Sequence, residues 1–144
     1  MEPSIYFLID DEEDRFILSL AFAGLGLRKR ICFFTSNRLL MWKLQQLAPQ
    51  DYPCLIGMNY RESAHNKSDL FVTLKNHVQW HTIPVILFCY NMSPSYRQKL
   101  IIRGAVACLD KASLYVDYMD MARTLVAQMA RNRSEHLTRS KCSI

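Results

Sequence analysis

The chain lacks the segments that mark several large classes of protein. Its longest apolar stretches, residues 16–27 and 84–90, are shorter than the roughly 20 residues that a membrane-spanning helix needs. Only four glycines and five prolines are spread over 144 residues, which excludes a collagen-like or linker-dominated chain. With 50% hydrophobic and 22% charged residues, the chain is also too apolar to be disordered. We therefore expect one globular domain.

Signals for secretion, disulfides and metal centres are also missing. No basic leader or cleavage site precedes the first apolar segment, so we expect no secretory signal and a cytoplasmic location. The five cysteines are an odd number without a C-x-x-C pair, and four of them lie in apolar runs. We expect buried free thiols, and we interpret the four scattered histidines as ordinary surface residues.

The net charge of +5 is spread over the chain. Basic residues occur in small groups, such as Arg28-Lys29-Arg30, and in the polar end of the chain. We interpret them as solvated helix ends and expect no direct nucleic-acid binding. Residues 1–131 are predicted to form the domain, and residues 132–144 a disordered basic tail.

Short apolar runs alternate with helical patterns along the chain, which is typical of strands buried in a parallel sheet. The predicted strands are residues 5–9, 31–35, 53–58, 83–89 and 105–109. The predicted helices follow them and have capping residues at Ser36 or Asn37, Ser68 and Ser93. Strand–helix alternation predicts an α/β protein, with an open five-stranded parallel sheet and helices on both faces.

Helical spacing also predicts which faces of two helices are buried. The first helix has apolar residues at i, i+4 and i+7, and we expect this face to pack on the sheet: Phe16, Leu20 and Ala23. The corresponding face of the third helix contains Leu70, Phe71, Leu74 and Val78.

Polar residues stand at the strand ends, where ligands bind in such sheets. Asp10 and Asp11 follow the first strand, and Lys111 follows the fifth. Asn59 ends the third strand and Cys89 ends the fourth. Adjacent carboxylates suit a divalent cation, and a lysine neutralises phosphoryl oxygens. The pattern therefore favours a cation and phosphoryl site at this edge of the sheet.

The spacing of these residues identifies a family. Asn59 and Cys89 are 30 positions apart, and Cys89 and Lys111 are 22 apart. With the Asp pair and the Ile-Pro-Val-Ile strand, residues 4 to 130 resemble the receiver domain of bacterial two-component response regulators. The resemblance implies the (βα)5 flavodoxin-like fold of the chemotaxis regulator.

The resemblance also implies roles for the strand-end residues. Asp10 and Asp11 correspond to the acidic pair that binds Mg²⁺, and Lys111 corresponds to the lysine after the fifth strand. The phosphoacceptor aspartate falls on Asn59, and the Ser or Thr that contacts the phosphoryl group falls on Cys89.

Several positions depart from the family pattern. An amide is not a competent nucleophile toward a phosphohistidine donor, so Asn59 is not expected to be phosphorylated. A thiol at Cys89 is a weaker hydrogen-bond donor than a hydroxyl. Two prolines usual in the family are replaced by Ser63 and Ala112.

The loss of one carboxylate also changes the expected metal site. We predict that Asp10 and Asp11 form a weak Mg²⁺ site at best, and that no cofactor is required. Arg61, two residues beyond Asn59, leads to the hypothesis that its guanidinium lies against Asp10 or Asp11 in place of a metal.

The predicted function is that of an atypical, phosphorylation-independent receiver-like module that is not an enzyme. It would contact a histidine kinase or downstream effector, or associate with itself, because receivers use the face of the fourth helix, fifth strand and last helix for partners. That face offers aromatic and other apolar residues: Tyr90, Tyr96, Leu100, Tyr115, Tyr118 and Met119.

Alternatives remain open from the sequence. The same apolar residues also fit a helix core, and the pocket residues also fit a relic site. The chain can also be a conventional receiver phosphorylated on Asp10 or Asp11, or a small-molecule-binding flavodoxin-like protein.

Overall fold

Short apolar runs of the sequence form the strands. The structure is a computed structural model, and it describes residues 4–27, 30–61, 69–110, 120 and 122–127. The strands are β1 (Ile5–Leu8), β2 (Ile31–Phe34), β3 (Leu55–Tyr60), β4 (Val85–Cys89) and β5 (Ala107–Asp110). All neighbouring strands are parallel, and their order is β2-β1-β3-β4-β5. The predicted five-stranded parallel sheet is confirmed.

The helices begin at capping side chains. They are α1 (Glu12–Gly24), α2 (Asn37–Gln46), α3 (Leu70–Asn76) and α4 (Pro94–Ile102), and residues 122–127 are also helical. Ser93 caps α4, as predicted, and Ser36, one of the two predicted candidates, caps α2. The cap of α3 is Asp69, whose Oδ1 accepts a hydrogen bond from the backbone N–H of Val72 at 3.3 Å, and not the predicted Ser68, which lies outside the described residues.

The helices cover both faces of the sheet. One buried layer joins α2, α3 and α4 to the sheet through Leu40, Leu44, Leu70, Phe71, Leu74 and Leu100. The other joins α1 and residues 122–127 to the sheet through Leu18, Ala21, Phe22, Ala122 and Leu125. Side chains of each strand therefore alternate between two apolar layers, which explains why the strands are continuous apolar runs.

The buried face of α1 differs from the prediction. Phe16, Leu20 and Ala23 are exposed, whereas Leu18 and Phe22 are buried against the sheet. Both faces of this helix are apolar, so helical spacing alone does not select one.

Several element boundaries are also corrected. β3 extends one residue beyond Asn59, its predicted end, to Tyr60. β4 and β5 begin at Val85 and Ala107, later than predicted. Val78 is 86% exposed and lies beyond the end of α3.

Gly57 allows close packing at the centre of the sheet. An added Cβ there would lie 2.8 Å from two ring carbons of Phe7 and 3.1 Å from the Phe88 ring. The Phe7 and Phe88 rings stack with centroids 6.2 Å apart. Glycine at this position therefore lets two aromatic rings pack across β3.

Within the described residues, no helix combines the length and the apolar character needed to cross a membrane. The predicted tail, residues 132–144, and most of the predicted last helix lie outside the described residues.

Candidate functional site

A cavity of about 970 Å³ opens at the carboxyl edge of the sheet. It lies where β1, β2, β3 and β4 end, which is the usual ligand position in an open parallel sheet. The lining residues are Leu8, Asp10, Thr35, Asn37, Asn59, Tyr60, Arg61, Phe88, Tyr90 and Asn91. Three of the residues predicted from the sequence to form the pocket, Asp10, Asn59 and Arg61, are therefore brought together.

Asn59 is half-buried in this cavity, and β3 fixes its direction. It pairs with Phe88 across the sheet, and both side chains line the cavity. The Asn59 Oδ1 atom is buried and accepts no hydrogen bond from the residues that the structure describes. An unsatisfied buried acceptor costs about 1–3 kcal/mol, so this amide is held in place by the strand at the expense of stability.

The two carboxylates at the end of β1 have different roles. Asp10 is exposed and lines the cavity. Asp11 is the N-cap of α1, and its Oδ1 accepts a hydrogen bond from the backbone N–H of Asp14 at 3.0 Å. A carboxylate oxygen used as a cap is less available as a metal ligand.

Two cations lie close to these carboxylates or share the cavity with them. Arg15 Nη1 donates to the carbonyl oxygen of Ile9 at 3.1 Å, which places a guanidinium beside the residue that precedes Asp10. Arg61 is exposed and lines the same cavity as Asp10. An ion pair between Arg61 and either carboxylate stays a prediction.

The described residues fit a magnesium ion poorly. They contain no group of three or more His, Cys, Asp or Glu side chains placed to hold a metal. Asp10 is the only carboxylate among the described lining residues, which also include the oppositely charged Arg61. Mg²⁺ prefers six oxygen ligands in a strict octahedron, so one free carboxylate gives it little of its coordination shell.

Cys89 does not lie in the cavity, which corrects the sequence prediction. It is fully buried in the layer beneath α2, α3 and α4, because it pairs with Tyr60 and not with Asn59. Burial, followed by the neighbouring Cys108 thiol, raises the pKa of Cys89 to about 12. Phe88 takes the position on the cavity side, so no side chain of β4 offers a polar contact there.

Several predicted residues lie outside the described part of the chain. These are Ser63, Lys111, Ala112, Tyr115, Tyr118 and Met119. Of the predicted partner face, Tyr90 is 56% exposed and Tyr96 is half-buried. Leu100 is only 1% exposed and packs in the core, so it is not a surface contact as predicted.

Sequence reasoning missed polar residues of the cavity on either side of Asn59. Thr35 and Asn37 come from the end of β2 and the start of α2, and Asn91 comes from the turn after β4. Asn91 has a φ of 48°, in the left-handed region that Asn tolerates better than most residues. The available signal was that Thr35 ends a predicted strand and that Asn37 and Asn91 each lie two residues beyond one.

Tyr60 links the cavity to the layer beneath α3 and α4. Its ring is 7% exposed, packs edge-on against Phe71 and lies 6.4 Å from the Tyr96 ring. Its hydroxyl donates a hydrogen bond to Asp69 Oδ2. Burial, reinforced by this bond, raises the pKa of the Tyr60 hydroxyl well above its ordinary value.

Comparison with known proteins places the fold among response regulators. No protein-family model matches the chain, and no curated protein matches it. The phosphorylated cyanobacterial phytochrome response regulator RcpA matches with a TM-score of 0.69 and 12% identity, over 87% of this chain and 91% of that chain. The receiver domain of a signal transduction histidine kinase from Syntrophus aciditrophicus matches with a TM-score of 0.65 and 19% identity, over 93% and 92%.

A third similar structure is the Mn²⁺-bound form of the response regulator Rcp1, with a TM-score of 0.66 and 14% identity over 86% of this chain and 91% of that chain. At these identities the similarity shows the fold alone. The receiver fold expected from the sequence is thus confirmed by structure, while the chemistry of the site depends on the residues of this chain.

Proposed function

We propose that this chain is a receiver-like signalling module of a two-component system that works without being phosphorylated. The proposal rests on the position of Asn59, which lies near the end of β3 and lines the same cavity as Asp10. In receivers this position supplies the carboxylate that attacks the phosphoryl donor. A carboxamide has no nucleophilic oxygen of that kind, so no acyl phosphate forms there.

The surroundings of Asn59 support the same conclusion. The Oδ1 atom of this amide is buried and accepts no hydrogen bond from the described residues. Phe88, and not the thiol of Cys89, occupies the neighbouring position on β4. Among the described lining residues, position 59 therefore has no carboxylate and β4 contributes no polar side chain.

Weak binding of Mg²⁺ is part of the proposal. Asp10 and the free oxygen of Asp11 are the residues that would hold the ion, which would neutralise phosphoryl oxygens if it bound. The capping bond of Asp11 and the Arg61 guanidinium in the same cavity both disfavour it. We therefore propose that the module needs no metal for its function.

We further propose that the module is not an enzyme and signals by contact with a histidine kinase, an effector or another copy of itself. The described lining residues include no serine, cysteine, histidine or lysine. The similar structures include a response regulator and the receiver domain of a histidine kinase, which supports a place in this kind of pathway.

Restoring the carboxylate tests the proposal. Asn59→Asp is incubated with acetyl phosphate and Mg²⁺, and its intact mass is compared with that of Asn91→Asp, which adds a carboxylate elsewhere in the same cavity. We expect Asn59→Asp to gain one phosphoryl group and Asn91→Asp to gain none. Labelling of Asn91→Asp or of the wild type to the same extent as Asn59→Asp would contradict the role assigned to position 59.

Phosphorylation of Asp10 or Asp11 is the weaker alternative. Asp11 is committed to the start of α1, and Asp10 is exposed and not embedded in a strand end as Asn59 is. If the wild type is labelled, an Asp10→Asn variant that loses the label would favour this alternative.

A second candidate function is the binding of a small molecule. The cavity volume of about 970 Å³ lies at the upper end of the range for small-molecule sites, roughly 300–1,000 Å³. Native mass spectrometry of the protein purified from its own cells tests this function. A bound species lost on Asn59→Leu substitution would favour it.

A further inference from the structure

The outer face of helix α2 combines apolar and basic side chains. Leu39 is 51% exposed and Trp42 is 58% exposed. Trp42 lies two positions from each of the buried Leu40 and Leu44, so its side chain points about 200° around the helix from them, toward solvent. The outermost positions of a surface helix are normally polar, so an exposed tryptophan there indicates a contact surface.

Two cations flank this apolar pair. Arg38 lies one turn before Trp42, and Lys43 lies one turn after Leu39, so the pair lies between them on the helix surface. Arg38 is exposed and Lys43 is half-buried. Within the part of the chain that the structure describes, neither cation has an ion pair or a side-chain hydrogen bond. These four residues are here called the α2 face.

No acidic residue of the same stretch compensates for this charge. Residues 30 to 50, which include β2 and α2, contain three basic residues and no Asp or Glu. The backbone N–H groups at the start of α2 add a partial positive charge beside Arg38. The α2 face is therefore complementary to a negatively charged partner that also has apolar side chains.

We propose that the α2 face binds an acidic amphipathic helix of a partner protein. Apolar side chains of that helix would cover Leu39 and Trp42, and carboxylates on either side would pair with Arg38 and Lys43. Tryptophan and arginine are the residue types that most often dominate the binding energy of an interface. The inference rests on the proposed function only in that the module signals by contact, because no residue of the α2 face lines the cavity.

The number of cations favours a protein over other polyanions. Segments that bind anionic membranes usually contain a cluster of roughly four to eight basic residues. A protein on DNA makes about 6–10 phosphate contacts. The α2 face has only Arg38 and Lys43, which suit a few carboxylates placed one helical turn apart.

NMR titration of the full chain with two synthetic helical peptides tests the proposal. The first peptide has leucines along one line of the helix and glutamates on both sides, and the second has glutamine in place of each glutamate. We expect the acidic peptide to shift the indole N–H signal of Trp42 and to leave that of the buried Trp80 in place. The glutamine peptide should bind about tenfold or more weakly, because both charge contacts are lost.

Two variants of α2 and two matched variants of α4 locate the contact. Trp42→Ala and Arg38→Glu should each weaken binding of the acidic peptide about tenfold or more. Ile102→Ala and Arg103→Glu alter an exposed apolar residue and an exposed arginine at the end of α4, and they should leave binding unchanged. All four side chains are exposed, so we expect every variant to fold.

The proposal is overturned if the acidic peptide does not bind, or if it binds Trp42→Ala or the α4 variants as the α2 contact predicts for the wild type and Arg38→Glu respectively. Equal affinity for the glutamine peptide would also overturn it. A Trp42 signal that shifts only with phosphatidylglycerol vesicles or with oligothymidylate would assign the face to a lipid or a nucleic acid.

Two further measurements separate the remaining outcomes. Sedimentation velocity that shows self-association abolished by Trp42→Ala would assign the face to a second copy of this chain and overturn the proposal. Asn59→Asp should bind the acidic peptide as the wild type does, so failure of this proposal and failure of the proposed function are seen separately.

Discussion

The Tyr60 hydroxyl donates a hydrogen bond to Asp69 Oδ2 at 2.5 Å, and this bond ties the end of β3 to the start of α3. The other carboxylate oxygen of Asp69 caps α3. One carboxylate therefore fixes both the helix and the residue that follows Asn59. The wall of the cavity is positioned by this pair.

Removing the Tyr60 hydroxyl should destabilise the protein. Tyr60→Phe leaves a carboxylate oxygen in a partly buried position without its donor, and we expect a loss of about 1–3 kcal/mol in the free energy of unfolding. Tyr52→Phe is the control, because the Tyr52 hydroxyl donates to Gln79 Oε1 in an exposed position. The free energy of unfolding of both variants is measured by urea denaturation. Equal losses of this free energy would show that the Tyr60–Asp69 bond stabilises the protein no more than the exposed Tyr52–Gln79 bond does.

A methyl group at position 57 should disturb the aromatic packing of the sheet. Gly57→Ala places a Cβ 2.8 Å from the Phe7 ring, which is fully buried and cannot move freely. We expect a loss of about 1–3 kcal/mol. Adding Phe7→Leu should recover part of it, because the smaller side chain makes room. Losses that simply add in the double variant would contradict a direct clash.

Alkaline pH should weaken the fold through Cys89. The folded-state pKa of this thiol is raised to about 12 from an ordinary value of 9.0, so the unfolded chain loses its proton first. The contribution is fully present below pH 9 and is lost as pH rises toward 12, by up to about 1.4 kcal/mol per pH unit. Cys89→Ala should unfold with a shallower alkaline slope than the wild type, whereas the exposed Cys32→Ala should keep the slope.

Affinity for Mg²⁺ should rise when Asn59 becomes a carboxylate. Asn59→Asp places a second acidic side chain in the cavity beside Asp10. We expect the dissociation constant to fall about tenfold or more, since hard oxygen ligands with negative charge favour this ion. Calorimetric titration with MgCl₂ provides the measurement. An equal gain in Asn91→Asp would mean that only the added charge matters and not the position on β3.

The sequence predicts the fold well because the relevant patterns are local. Continuous apolar runs identified all five strands, and Ser36 and Ser93 correctly marked the starts of α2 and α4. Strand–helix alternation predicts a parallel sheet, but it does not by itself determine the strand order β2-β1-β3-β4-β5. Boundaries were less accurate, because Asn59 and Tyr60 remain in the β3 ladder through their pairing with β4.

The candidate site was predictable only in part, because it depends on direction as well as position. Asp10, Asn59 and Arg61 line one cavity, as their place at strand ends predicted. Cys89 does not, because β3 and β4 pair in a register that matches Asn59 with Phe88. A change of one residue in register moves a side chain to the other face of a sheet, and sequence alone does not reveal the register.

The faces of the helices were ambiguous for a related reason. In α1 two apolar stripes compete, and only contact with the sheet selects Leu18 and Phe22 over Phe16 and Leu20. Leu100 was assigned to the partner face with a core position left open, and it fills the core under α4. In both helices, contact with the sheet selects the buried face, which helical spacing alone does not determine.

The central claim is that the wild-type pocket cannot take a phosphoryl group, and the intact mass of the wild-type chain after incubation with acetyl phosphate and Mg²⁺ tests it most directly. The account predicts an unchanged mass under conditions that label Asn59→Asp. A mass gain of one phosphoryl group on the wild type, removed by hydroxylamine as an acyl phosphate would be, would contradict it.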